Sequence, residues 1–163
     1  MSQFIATLGY VGYLKPASGT WGSAAAVLLA WPIYLLGGWV ALLLASILAF
    51  GAGVWATQQM TQNAQDHDPS EIVIDEAVGQ WIALLPVAIG ATVAGHSPLQ
   101  LWPGIVTAFL AFRLFDIWKP LWVGKADKRS DALGVMLDDV IAGAMAAVVV
   151  LLLAAVSHLG LGI

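Results

Sequence analysis

Long apolar runs separated by a few polar clusters set the pattern of this chain. No charged residue occurs between Lys15 and Asp66, between Glu76 and Arg113, or after Asp139. Five apolar segments fill those gaps, at 21–36, 39–60, 72–93, 101–118 and 133–153. A helix needs roughly 20 apolar residues to cross a bilayer, so the second, third and fifth are long enough. The first is short, carries Trp31-Pro32 and runs into Gly37-Gly38, which predicts a tight turn and a first helix that is short or re-entrant. The expected fold is an all-α integral membrane protein: one domain over 1–163, a bundle of about five helices, four to five of them spanning.

Composition points the same way. The chain is 60% hydrophobic and 10% charged, with a mean hydropathy of +0.87, far from the usual soluble range. It has no Cys, which excludes a disulfide framework and a thiol nucleophile. A net charge of -4 gives no reason to expect a nucleic-acid partner. The first residues lack the basic region and cleavage pattern of a signal peptide, so the chain is expected to be retained whole. The Trp residues fall mostly near segment ends, as in an interfacial belt.

If all five segments cross, the stretch up to Lys15 and the 61–71 and 119–131 loops share one side. Gly37-Gly38, the GATVAGHSPLQ turn and the C-terminal tail take the other. Lys15, Lys119, Lys125, Lys128 and Arg129 then share the charged face, which the positive-inside rule makes cytoplasmic. That rule does not explain acids inside apolar helices, where a charge costs about 2.5–3.5 kcal/mol even on mild insertion scales.

Those acids belong to three constellations. In EIVIDEAVGQWIALL, Asp75 and Glu76 point about 100° apart on a helix, so one can ligate an ion while the other meets a neighbouring helix or a second ion. Read alone, the pair also fits interfacial acids favoured by a helix N-terminus. In FRLFDIWKP, Arg113, Asp116 and Lys119 recur at i, i+3, i+6, roughly on one face. They form either a self-compensating ion ladder or a division of labour in which cations hold phosphate and the Asp holds a metal. Pro120 predicts a helix end just after Lys119. In GVMLDDVIAG, Asp138 and Asp139 form a second acid pair, with Gly134 and Gly143 allowing close helix approach. Asp75, Glu76, Asp116, Asp138 and Asp139, opening to one side, resemble an oxygen-ligand site for a hard divalent cation such as Mg²⁺.

A fourth stretch, KPASGTWGS, is a Gly-rich turn feeding the first helix. Thr20 can cap that helix, and N–H groups with Gly19 and Gly22 could cradle an anion; a plain N-cap is the simpler reading. His67 reads as a loop residue near the acids, and His96 and His158 fall on the uncharged side without an evident role.

SGTWGS, DPSEIVIDEAVGQWI, FRLFDIWKP and GVMLDDVIAG, in this order and spacing, closely resemble the phosphatidylglycerophosphatase A family over nearly the whole chain. The resemblance implies a Mg²⁺-dependent, multi-pass membrane phosphatase that converts phosphatidylglycerophosphate to phosphatidylglycerol in bacterial phospholipid biosynthesis. The family's polar residues fall on Thr20, Asp75, Glu76, Arg113, Asp116, Lys119, Asp138 and Asp139. Two stretches depart from the family: Ser18 stands where Pro is usual, and Asp131-Ala132 where Gly-Gly is frequent.

Competing enzyme classes fit poorly. DHDPS at 66–70 approaches the aspartyl-phosphate signature but lacks its closing Thr or Val and a preceding apolar strand. The DGxxAR run of CDP-alcohol phosphotransferases and the SGH-type motif of histidine lipid phosphatases are missing. With no Cys and no well-placed His, hydrolysis most simply uses metal-activated water, with an aspartyl-phosphate intermediate as the other open route. On this reading the five acids are metal ligands or general base, and Arg113, Lys119, Gly19, Thr20 and Gly22 hold phosphate. A small cation- or proton-coupled transporter is the alternative, since intramembrane acids also mark ion paths. It would need polar residues at both faces, and only one has them.

Overall fold

The structure, a computed structural model, describes residues 1–62 and 69–161. A short helix α1 (Ser2–Ala6) leads through a 3-10 turn at Val11–Tyr13 into α2 (Ser18–Thr61). There follow α3 (Ile74–Ala94), a 3-10 turn at Pro98–Leu101, α4 (Trp102–Trp118), a short α5 (Trp122–Asp127) and α6 (Ala132–Leu161). The described residues contain no strand, and four helices are long and apolar enough to cross a membrane. The expected all-α membrane bundle is therefore what forms.

Helix α2 is bent double. Straight, it would reach about 66 Å at 1.5 Å per residue, twice the hydrocarbon core. Instead the backbone leaves helical geometry at Gly37 and Gly38, the latter at φ 63°, ψ -150°, a conformation open to glycine alone. Gly22 in the first arm lies against Val73, while Gly53 in the second lies against Ile74. Adjacent residues can be met from both arms only if the helix folds back. The first arm, 18–36, rises about 28 Å, just under the bilayer core, and passes through Pro32 without a break. The five apolar segments thus appear as four helices, one a hairpin. Its bend packs at the uncharged end, where the Tyr34 and Thr92 hydroxyls share a hydrogen bond of 2.9 Å.

Helix α3 is the central post, packed on α2, α4 and α6. The Trp81 indole N–H donates to the Ala26 carbonyl of the first arm at 2.8 Å. Gly79 brings α3 onto its neighbours: a Cβ there would lie 2.6 Å from the Asp139 carbonyl oxygen and 2.5 Å from the Phe112 ring. Gly143 of α6 has the same relation to the Gly79 carbonyl, so the two backbones touch, as small residues permit in lipid. Gly134 does not share that role. It backs onto Arg129 and Ala126, because α6 has only begun there and its first turn faces the preceding connection. Leu28, Leu36, Leu48, Leu110 and Leu152 point outward, which suits acyl chains. Asp66 and His67 lie outside the described residues, as does the His158 side chain.

Candidate active site

Five segments meet at one end of the bundle around a cavity of about 280 Å³. The first arm of α2 contributes Ser18 and Gly19, and the approach to α3 contributes Ser70 and Ile72. Helix α3 supplies Asp75 and Glu76, the end of α4 supplies Arg113, Asp116 and Lys119, and α6 supplies Asp138 and Asp139. All five expected acids and both expected cations therefore line one space. Asp75, Glu76, Asp138 and Asp139 are buried.

Within this space Glu76, Asp116 and Asp139 form the tightest group. One carboxylate oxygen from each lies within 4.8 Å of the others. Mg²⁺–oxygen distances are about 2.0–2.1 Å, so ligands on one ion sit at most about 4.2 Å apart, and the group needs only a small contraction to close on a cation. Three oxygen donors with no soft ligand suit a hard divalent ion. The other two acids are oriented by backbone: Asp75 Oδ1 accepts the Glu76 N–H at 2.9 Å, and Asp138 Oδ1 accepts the Asp139 N–H at 2.9 Å.

Arg113 spans two members of the group. Its Nη1 lies 2.5 Å from Glu76 Oε2 and 2.8 Å from Asp116 Oδ2. The ion ladder, one of the two readings of α4, is half present, since Arg113 and Asp116 pair as i, i+3 but Lys119 leaves their face. Helix α4 ends at Trp118, as Pro120 predicted, and Lys119 takes a left-handed φ of 49° that swings its side chain away. Its Nζ meets the Asp127 carboxylate and lies 3.1 Å from Asp138 Oδ2. Burial pulls the Lys119 pKa down, but the Asp127 hydrogen bond and the Asp138 charge outweigh it and leave the group above its ordinary value. The ammonium therefore stays charged.

The Gly-rich turn differs in detail from its expected use. Helix α2 begins at Ser18 with Ala17 at the N-cap, so Thr20 is already inside the helix; it is exposed and caps nothing. Gly19 does reach the cavity, but what it admits is the Glu76 carboxylate, which leaves no room for a Cβ. Gly22 packs against Val73, 2.8 Å from where its Cβ would be, and serves the helix crossing.

Sequence reasoning missed Ser23 and Asp127. The Ser23 hydroxyl is fully buried, donates to Glu76 Oε2 at 2.8 Å and accepts from Arg113 Nη1 at 3.3 Å. It stood one turn after Gly19 within SGTWGS, and that helical spacing was the available signal. Asp127 reads in sequence as one charge of a solvated loop, and nothing local marks it.

Fold and site together define a multi-pass membrane protein with a one-sided centre of acids and cations. No solved structure matches the chain. The phosphatidylglycerophosphatase A family model matches residues 4–154, and the chain belongs to that family of phosphatases. It is 36% identical over 140 residues to the Haemophilus influenzae phosphatidylglycerophosphatase A, covering 85% of this chain and 80% of the relative. The Escherichia coli phosphatidylglycerophosphatase A is 30% identical over 142 residues, 86% and 76% of the two chains. A Bacteroides thetaiotaomicron protein, named provisionally as a phosphatidylinositol-3-phosphatase, is 37% identical over 136 residues, 81% and 80%.

Proposed function

We propose that the protein hydrolyses phosphatidylglycerophosphate to phosphatidylglycerol and inorganic phosphate, with Mg²⁺, at the cytoplasmic face of the inner membrane. The observation that carries this is the group of Glu76, Asp116 and Asp139, set beside Arg113 and Lys119 in one cavity at a bundle end. Two relatives named for this activity, each covering most of its length, support the headgroup. Lys125, Lys128 and Arg129 follow the same bundle end in the chain and support the cytoplasmic orientation.

Glu76, Asp116 and Asp139 would hold the cation, with Asp75 and Asp138 alongside. Bound there, Mg²⁺ supplies Lewis-acid polarisation of a phosphoryl oxygen and lowers the pKa of a water. Arg113 and Lys119 neutralise the phosphoryl oxygens, whose charge is spread over three positions as the bond to the leaving oxygen loosens. Asp75 and Asp138, outside the tight group, are the carboxylates available to take a proton from the attacking water. Ser23 orients Glu76, and Gly19 admits it. The lipid's acyl chains keep the headgroup at this face, so soluble phosphomonoesters should be poor substrates.

The test uses purified protein in detergent with phosphatidylglycerophosphate. Phosphate release should require Mg²⁺, stop with EDTA and return when the metal is restored. Activity persisting in EDTA would remove the metal from the reading. Faster release from phosphatidylinositol 3-phosphate would overturn the headgroup assignment and leave a lipid phosphatase. No release, with a metal-dependent ion flux in vesicles, would favour the transporter.

A further inference from the structure

We propose that Asp127, which lies outside the catalytic set, is the positioning residue of Lys119, holding its ammonium at the edge of the cavity where the phosphoryl group must arrive. The inference rests on the phosphatase reading above. Lys119 sits at the C-cap of α4 in a left-handed conformation, off the face that carries Arg113. A lysine side chain is long and flexible, and a single partner leaves it much of its freedom. Here its Nζ is held from two sides, by Asp127 at the end of α5 and by Asp138 of α6 at 3.1 Å.

The fold goes to some length to put Asp127 there. Val123 and Ala126 are buried, which seats α5, and α5 packs on α6. Gly124 lets the short helix close on the preceding turn, since a Cβ there would lie 2.7 Å from the Lys119 carbonyl oxygen. Gly134 makes room for the Ala126 and Arg129 backbone on the other side. Leu121 has φ 48°, a second non-glycine residue at positive φ close to Lys119. Unfavourable backbone of this kind persists where the surrounding packing overrules it, often at sites that need a fixed geometry.

A structural role would explain less. The Asp127 side chain is 39% exposed, and an ion pair that open to solvent adds little to stability. Lys119 also keeps Asp138 as a counter-charge, so Asp127 is not required for neutrality. What the second carboxylate adds is direction.

A double-mutant cycle on the full chain in detergent, with phosphatidylglycerophosphate and Mg²⁺, tests this. Asp127→Asn should lower kcat/KM about tenfold or more while the melting temperature stays at the parent value. Asp127→Glu should recover most of the loss. In a Lys119→Ala background, Asp127→Asn should cost nothing further, because two residues acting through one group are not additive. Full additivity would overturn the proposal, as would parental kcat/KM for Asp127→Asn or a melting temperature that falls in step with activity. Parental activity for Lys119→Ala would instead strike Lys119 from the phosphate site, a failure of the underlying reading rather than of Asp127's part in it.

Discussion

Ser23→Ala removes one oxygen atom from a fully buried position and nothing else from the packing. The contact that bears on the site is the 2.8 Å hydrogen bond to Glu76 Oε2; the longer one accepted from Arg113 Nη1 at 3.3 Å goes with it. A bond to a charged group contributes about 1.5–3 kcal/mol. Two features of the site favour the lower half of that range. The same Glu76 oxygen keeps Arg113 at 2.5 Å, so it is not stranded, and the Ser23 hydroxyl divides its proton with the Gly19 carbonyl at 2.9 Å. About 1.5–2 kcal/mol corresponds to a loss of roughly 10- to 30-fold in kcat/KM. Because Glu76 belongs to the carboxylate group, the Mg²⁺ concentration for half-maximal activity should rise as well. The assay is phosphate release in detergent across a Mg²⁺ titration. Ser46→Ala is the matched control: Ser46 is equally buried, but its hydroxyl donates to the Leu42 carbonyl of its own helix, remote from the cavity, and kinetics should not change. If Ser23→Ala keeps kcat/KM and metal dependence within about twofold of the parent, the hydroxyl does not support Glu76 and the reasoning fails.

Asp138→Asn and Asp75→Asn should each lose orders of magnitude in rate while the protein still inserts, and full activity in either would remove that residue from the site. Because the parent has no Cys, single cysteines report orientation cleanly: positions 70 and 130 should label from the cytoplasmic side, and positions 97 and 157 from the other. Labelling of 70 and 130 from opposite sides would break the one-sided site. Gly143→Ala should lower the melting temperature and the yield of folded protein, since its Cβ would land on the Gly79 carbonyl where α3 and α6 cross. An unchanged melting temperature would mean that the two backbones are not in contact.

The bundle was legible because lipid imposes a simple rule, that every spanning stretch be long and apolar, and the gaps between charges showed where each helix runs. Gly37-Gly38 and Pro120 marked a bend and a helix end for local reasons of backbone geometry, and both appear where expected. The acids were legible because a charge inside an apolar helix has no cheap explanation. What escaped was whatever depends on how separate elements meet in space. Ser23 acquires its meaning from Glu76, and Asp127 from a left-handed cap that turns Lys119 off its predicted face. Thr20 is not the cap that the turn suggested, and Gly19 beside it is dictated by the approach of a carboxylate from α3, which spacing within the turn cannot reveal.

The order in which the cavity's walls occur along the chain bears on biogenesis. Ser18 and Gly19 open α2, while Asp138 and Asp139 stand early in α6, the final span among the described residues. Arg113, Glu76 and Asp116 all precede α6 in the chain, while Asp139, the third carboxylate of the group, comes with it. The carboxylate group is therefore complete only once α6 is in place. In the complete fold Arg113 is the counter-ion of two of the group's three acids, both supplied by helices that precede α6.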